Sequence, residues 1–206
     1  SQQTPCSAIT PTSTTQILPS FGFNPIHLGH GTKHLHDIDL YASAEHPDLF
    51  ISRYYQSSNP ALSSLGAQWT LNYDIQLLKE LNQNYIRLPD GAKYRLTPDQ
   101  GQLIQSTFYS IWQPSHSSER WVFNQYGWLI KLEKTGYASV FIERHDQPDL
   151  LHHIKQVRQG SHQLDFQYTT HQSLPQLELI HTPAGTIRYI YENPSAHNLF
   201  RLTAVH

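Results

Sequence analysis

The sequence predicts an all-β protein made of consecutive antiparallel β-hairpins, and three observations lead there. Aromatic residues make up 12% of the 206-residue chain, with twelve tyrosines among them. They fall in runs that alternate apolar with polar, as aromatic and β-branched side chains do on a pleated surface with one buried face. Turn signals separate these runs at intervals of about 8–12 residues, the spacing of short strands. Finally, the stretch from Gly136 to Val205 writes one pattern three times. Gly136, Gly160 and Gly185 each open an alternating run: Val140 and Ile142, then Leu164, Phe166 and Tyr168, then Ile187, Tyr189 and Tyr191. An apolar triplet answers each run: Leu151, Ile154 and Val157, then Leu174, Leu177 and Ile180, then Leu199, Leu202 and Val205. A period of about two dozen residues marks a supersecondary unit that buries its apolar face only by stacking on its neighbours.

Taken in order, residues 1–20 are rich in Ser, Thr, Gln and Pro and poor in large apolar side chains, which reads as a flexible linker or arm. Residues 21–135 read as a β segment that precedes the repeats. It begins with Asn24-Pro25 as a turn signal and Gly29 and Gly31 as permissive backbone points. Leu49 to Gln56 alternates and ends at Ser57-Ser58-Asn59-Pro60. Trp69, Leu71, Tyr73, Ile75 and Leu77 alternate against Thr70, Asn72, Asp74 and Gln76, which predicts one half-buried strand, although Leu77, Leu78 and Leu81 also fit a helical turn. Around Pro89-Asp90-Gly91, the runs 85–88 and 92–96 predict a tight hairpin, because Asp-Gly supplies the positive-φ turn residue. Runs at 103–111, 121–123 and 128–132 continue the series, with Asp99-Gln100-Gly101, Ser115 to Ser118 and Gln125-Tyr126-Gly127 as turns. Residues 136–206 hold the three degenerate repeats.

Composition excludes several classes of function. The formal charge is -2 and the pI about 6.7 with no basic cluster, so the electrostatic footprint of a nucleic-acid binder is missing. No run approaches the roughly 18 apolar residues of a membrane-spanning helix. Cys6 is the single cysteine and has no intrachain partner for a disulfide. The chain has no methionine and no charged-then-apolar leader, and it stops just after Val205. A segment of a longer polypeptide is the expectation.

Candidate chemistry is sparse. His27, His30, His34 and His36 lie within ten residues of one another, and imidazole is a common metal ligand. On a strand, His34 and His36 share one face while Asp37 and Asp39 are offset onto the other, so supporting carboxylates are not gathered behind the imidazoles. The run reads as a solvated loop in a chain with 14 histidines, and neither metal nor cofactor is expected. There is no glycine-flanked nucleophilic serine. Glu143, Asp146 and Asp149 gather beside Pro148, where turn carboxylates are solvated. No catalytic residue is assigned and a non-enzymatic protein is expected. Trp112, Trp121 and Trp128 offer an alternative, a secreted β-rich module that stacks a glycan or meets a cell-surface partner, against which stands the expectation that alternating tryptophans form a core.

The repeats read as Gly, a few residues, apolar-x-aromatic-x-Tyr, then Leu-x-x-apolar-x-x-apolar after a polar turn, with Gly160 and Tyr168 in one copy and Gly185 and Tyr191 in the next. Ahead of them stand Asn24-Pro25, Gly31-Thr32-Lys33, Asp39, Arg53-Tyr54-Tyr55 with Ser57, and Leu65-Gly66 leading to Trp69. In this order the motifs resemble the Rhs/YD-repeat family, over roughly residues 23–205. The Asp that gives the YD repeat its name is replaced by Thr169 and Glu192, and His30 precedes Gly31. The resemblance implies a winding sheet of hairpins, a fragment of a hollow shell that encloses a C-terminal toxin, with the segment ahead of the repeats starting or capping the winding. It implies a non-catalytic role in encapsulation and delivery during bacterial competition, in a protein secreted or delivered at the cell envelope. Its partners would be the remaining repeats and the toxin of the same polypeptide, and a secretion-system component.

Overall fold

The computed structural model describes Leu18, Phe21 and residues 34–56, 62–63, 65–67, 69–171, 174–192 and 201–206. The fold is all-β with every strand pair antiparallel, and among the described residues there is no α-helix. The strands are β1 (His34–Leu40), β2 (Ile51–Gln56), β3 (Leu62–Ser63), β4 (Gly66–Ala67), β5 (Trp69–Leu71), β6 (Gln76–Glu80), β7 (Gln83–Arg87), β8 (Lys93–Arg95) and β9 (Gly101–Gln105). They continue as β10 (Tyr109–Pro114), β11 (Arg120–Asn124), β12 (Leu129–Glu133), β13 (Val140–Arg144), β14 (Ile154–Gln159), β15 (His162–His171), β16 (Leu174–Thr182), β17 (Gly185–Glu192) and β18 (Arg201–Val205).

Strands β9 to β18 form one ten-stranded sheet in strict chain order, an open meander that does not close into a barrel. Two three-stranded sheets precede it, β1-β2-β5 and β6-β7-β8. Short alternating runs separated by tight turns can only pair with what comes next, so the sequential order follows from the turn chemistry. Gly91 and Gly127 both take φ 86° in such turns. One hydrophobic core joins the two parts. Leu49, Ile51, Leu71, Tyr73 and Ile75 from the first part are buried with Trp112, Trp121, Leu132, Val157, Leu164 and Ile180 from the second. Phe21 stacks on Tyr73 at 5.7 Å and meets Trp121 edge-on at 6.5 Å.

The structure departs from the expected elements in three places. The run 69–77 is not one strand, because it turns between β5 and β6. Asp74 accepts the Leu71 amide on its carboxylate, while Asn72 accepts the Ser52 amide and donates to the Phe50 carbonyl. Those side chains replace ladder partners, yet Leu71, Tyr73 and Ile75 all remain buried, so the alternation survives the bend. The run 103–111 splits into β9 and β10, and the Ser106 hydroxyl donates to the Tyr109 carbonyl to close the hairpin without a glycine. Between β6 and β7, Leu81 and Asn82 take φ 48° and 62°, a two-residue hairpin turn that leaves Leu81 97% exposed.

Candidate functional site

The spacing of three within each apolar triplet has a structural cause. A strand puts residues two apart on one face, so two apolar residues three apart are buried together only if one residue between them is extruded. In β14 the register passes from Gln156, opposite Glu143, to Ile154, opposite Arg144, and skips Lys155. β16 skips Glu178 between Leu179 and Leu177, the latter opposite Tyr168, and β18 skips Thr203 between Ala204 and Leu202, the latter opposite Tyr191. Each bulge lies inside one triplet, and Ile154, Val157, Leu177 and Ile180 are all buried. The same bulge occurs a fourth time, ahead of Gly136. β12 skips Ile130 between Lys131 and Leu129, opposite Phe123, and Leu129 and Leu132 are buried three residues apart. This copy is hidden in the sequence because no glycine-to-tyrosine run announces it.

The residues facing the bulges of β14, β16 and β18 do further work, whereas Phe123, facing that of β12, carries no donor. Beyond the bulge the next strand pair has diverged and a backbone carbonyl lacks a ladder partner, which is costly if buried. The Tyr168 hydroxyl donates to the Ile154 carbonyl and the Tyr191 hydroxyl to the Leu177 carbonyl, both at 2.6 Å. Arg144 holds the corresponding place one unit earlier and donates from Nε to the Leu129 carbonyl at 2.9 Å. Its other nitrogens donate to the His152 carbonyl at 3.0 Å and to the Tyr73 carbonyl at 2.8 Å. One guanidinium therefore ties the ten-stranded sheet to the chain ahead of β6, with the Trp128 ring 5.2 Å away. Burial lowers the Arg144 pKa to about 10, opposed by Asp74, whose own carboxyl is raised by burial and lowered by Arg144. Nearby, Leu77 donates its amide to Gly127 and Leu129 donates to Ile75, so backbone hydrogen bonds run along the same seam.

A second tie joins β1 and β2 to β17. Arg53 donates through Nε and Nη2 to both oxygens of Asp39 at 2.6 and 3.0 Å, and the Tyr189 hydroxyl donates to the same carboxylate at 2.9 Å. Side-chain exposure is 9% for Arg53 and 5% for Asp39, so both charges are neutralised out of water. Burial, and then the Asp39 charge, push the Tyr189 hydroxyl upward, so it stays a donor. The Arg53 guanidinium also lies 4.8 Å from the Trp69 ring, with Tyr55 beside that ring at 5.1 Å. A third tie sets Lys134 3.6 Å from Asp48 and 3.5 Å from Glu119, both buried, while Glu119 accepts the Trp121 indole N–H. Desolvation raises the Asp48 carboxyl, with Lys134 opposing.

Of the residues singled out from the sequence, Asn24, Pro25, His27, His30, Gly31 and Lys33 lie outside the described residues. His34 falls on β1 and Gly66 on β4. The His36 ring packs against Tyr54 at 4.6 Å, and burial lowers its pKa despite Asp37. Among the described residues no three His, Cys, Asp or Glu side chains converge to hold a metal ion. Arg53, Tyr55 and Trp69 are brought together in one chain of contacts, and Arg53 binds Asp39, which stands between Lys33 and Arg53 in the same ordered set of motifs. Gly160 takes φ 58° with the His46 ring in van der Waals contact of an added Cβ, and Gly185 takes φ 137° in an open turn. Trp112 and Trp121 are 2% and 1% exposed and cannot present a face to a sugar ring. An open cleft of about 1060 Å³ lies between β1, the β16–β17 turn and the end of β18. Asp37, Asp39, Arg53 and His206 are among its polar lining, and Arg53 already engages both Asp37 and Asp39. The arrangement has the chemistry of a brace: among the described residues, the buried charges of Asp39, Arg53, Asp48, Glu119 and Arg144 each engage a partner from another part of the chain.

A family model described as a domain of unknown function (DUF6531) matches residues 23–96. The match ends just after β8, ahead of the ten-stranded sheet. No curated protein matches the chain.

Proposed function

We propose that this chain is a non-catalytic structural module, the opening part of an Rhs-type shell wall that encapsulates, and helps deliver, a toxin carried further along the same secreted bacterial polypeptide. The observation that carries this reading is the bulge recurring at the same place in alternate strands of the ten-stranded meander. Bulges bend a strand and increase its twist, so repeating them on one side of a sheet supplies a constant curvature, which a wall needs and a flat sheet lacks. The residues ahead of the sheet cover its buried face and would act as the brace at the start of the winding. β18 pairs with β17 on one side, and its other edge offers the place where the next hairpin of the wall would add. The enclosed toxin, the later repeats and a secretion-system component are the partners this reading requires.

The test is electron cryo-microscopy of the complete polypeptide. The expected result is a hollow β-shell with this chain at one end, the strand after β18 continuing the meander. A complete polypeptide in which no strand adds to β18 overturns the reading.

A further inference from the structure

We propose that the turn carrying His145, His152 and His153 is an acid-sensitive latch, which through Arg144 holds the chain ahead of β6 against the ten-stranded sheet and lets go as its imidazoles take up protons. The inference concerns the seam itself and stands whether or not the chain forms a shell wall.

The geometry is that of a loop wound around one cation. β13 ends at Arg144, the chain passes through the 3-10 turn Pro148–Leu150, and it returns at His153 to begin β14. Backbone bonds close the loop on both sides: His145 donates to the His153 carbonyl at 2.8 Å, and His152 to the His145 carbonyl at 3.0 Å. His152 is held at φ 71°, a conformation that favours glycine, and its carbonyl is the one that accepts from Arg144. The imidazoles are packed on aromatic rings. His152 stacks over Trp128 at 6.0 Å and meets Tyr126 at 4.8 Å, while His145 and His153 meet the Tyr168 ring at 5.9 and 5.3 Å. The same Tyr168 closes the bulge at Ile154, and the same Arg144 reaches Tyr73. Loosening this loop therefore removes support from both.

The charges facing the loop make it unfavourable for cations. Arg144 stands at its centre and Lys155, on β14, acts on His145; Glu143 and Asp146 oppose them at His145, and Asp74, ahead of β6, offsets Arg144. Tyr168 faces in from β15 with its hydroxyl donating to the Ile154 carbonyl. On β16, the strand beside the 3-10 turn, Glu178 is engaged by Arg188 at 3.4 Å, and Asp149 of the turn is exposed. Burial, then Arg144 and the other two histidines, lower His153 to about 4. Burial also lowers His145 and His152. The sign follows. A histidine whose pKa is lower in the closed loop than in the released one, about 6.5 when free, binds its proton preferentially to the released form. The closed form is fully favoured above about pH 6.5 and loses ground as the pH falls toward 4. At pH 5 the shift at His153 alone corresponds to about a 30-fold change in the opening equilibrium, and allowance for its partial solvation brings the expectation to about 10-fold.

The test is hydrogen exchange of the full 206-residue chain at pH 7.5 and pH 5.0, expressed as protection factors so that the intrinsic pH dependence of exchange is removed. The probes are the amides of Leu77 and Leu129, whose hydrogen bonds cross the seam, with Ile180 and Ile187 in the sheet as controls. In the wild type, protection at the seam is expected to fall about 10-fold at pH 5.0 while the controls change less than 3-fold. A His153→Gln variant, checked for its fold at pH 7.5 by circular dichroism, is expected to keep less than half of that response on a logarithmic scale. His145→Gln with His153→Gln together should reduce it further, to the contribution of His152. Unchanged seam protection in the wild type overturns the proposal. So does an equal loss in seam and control amides, which would mean general acid unfolding, and so does a variant that responds like the wild type.

Discussion

Tyr168→Phe removes one oxygen and leaves the ring where it is, so it isolates the hydroxyl that spans from β15 to the Ile154 carbonyl at 2.6 Å. Ile154 is 2% exposed, and its carbonyl lies where β14 and β15 have stopped pairing. Without the phenol it keeps no ladder partner on that side. A typical hydrogen bond contributes about 0.5–1.5 kcal/mol net, and a buried acceptor left unsatisfied costs about 1–3 kcal/mol. Because Tyr168 is only half-buried and water can partly replace it, about 1.5 kcal/mol is the expected loss. For a 206-residue chain the unfolding entropy is about 0.4 kcal/mol per degree, so the midpoint should fall by about 3–4 °C. Tyr191→Phe removes the equivalent bond to Leu177 and should cost the same within about 0.5 kcal/mol. Differential scanning calorimetry reads both. A midpoint within 1 °C of the wild type for Tyr168→Phe would falsify the claim that the hydroxyl, and not the ring, holds the strand pair beyond the bulge.

Other expectations follow from the same seam. Arg53→Lys keeps the charge but loses the two-pronged contact with Asp39, and chemical denaturation should show about 2–3 kcal/mol of destabilisation, since both side chains are buried. Tyr189→Phe deletes the third donor to that carboxylate and should cost about 1.5–3 kcal/mol by the same measurement. Gly127→Ala combines φ 86° with a new methyl driven into the Leu77 carbonyl oxygen, so it should cost more than about 2 kcal/mol. Gly136→Ala has φ 90° but open space around the new atom, so only backbone strain of about 1 kcal/mol should appear. Equal losses for the two glycines would mean that the Leu77 contact yields easily.

How much of this was legible in the sequence varies with the kind of signal. The Asp90-Gly91 hairpin was readable because a local residue pair fixes a backbone angle, and Gly91 does take φ 86°. The bend at Asn72–Ile75 was not, because Asn72 is occupied by Ser52 and Phe50, contacts that only the folded chain brings near. The apolar triplets were visible as a repeat, while their spacing, closer to a helix than to a strand, concealed its cause until the register showed a skipped residue in each. Arg144 gave no signal at all. It stands where a tyrosine stands in the next two units, and nothing local distinguishes an arginine that reaches back to Leu129 from one that is solvated. Trp112 and Trp121, by contrast, follow the alternation and are buried as cross-strand neighbours.

The replacement of the expected Asp after Tyr168 and Tyr191 becomes intelligible in these terms. On a strand, consecutive side chains point to opposite faces, so the residue after each tyrosine cannot share its contact with the carbonyl beyond the bulge. Thr169 is half-buried and Glu192 exposed, and both tyrosines make their bonds regardless. What the geometry demands opposite the bulges of β14, β16 and β18 is a donor long enough to reach across to the neighbouring strand. Tyrosine meets that demand with one bond, and arginine meets it with the same bond and two nitrogens to spare. Those two engage Tyr73 and His152, and this explains why the substitution sits in the unit next to the segment ahead of the sheet. There the sheet must be fastened to a different kind of structure, whereas at Tyr168 and Tyr191 it need only be fastened to itself.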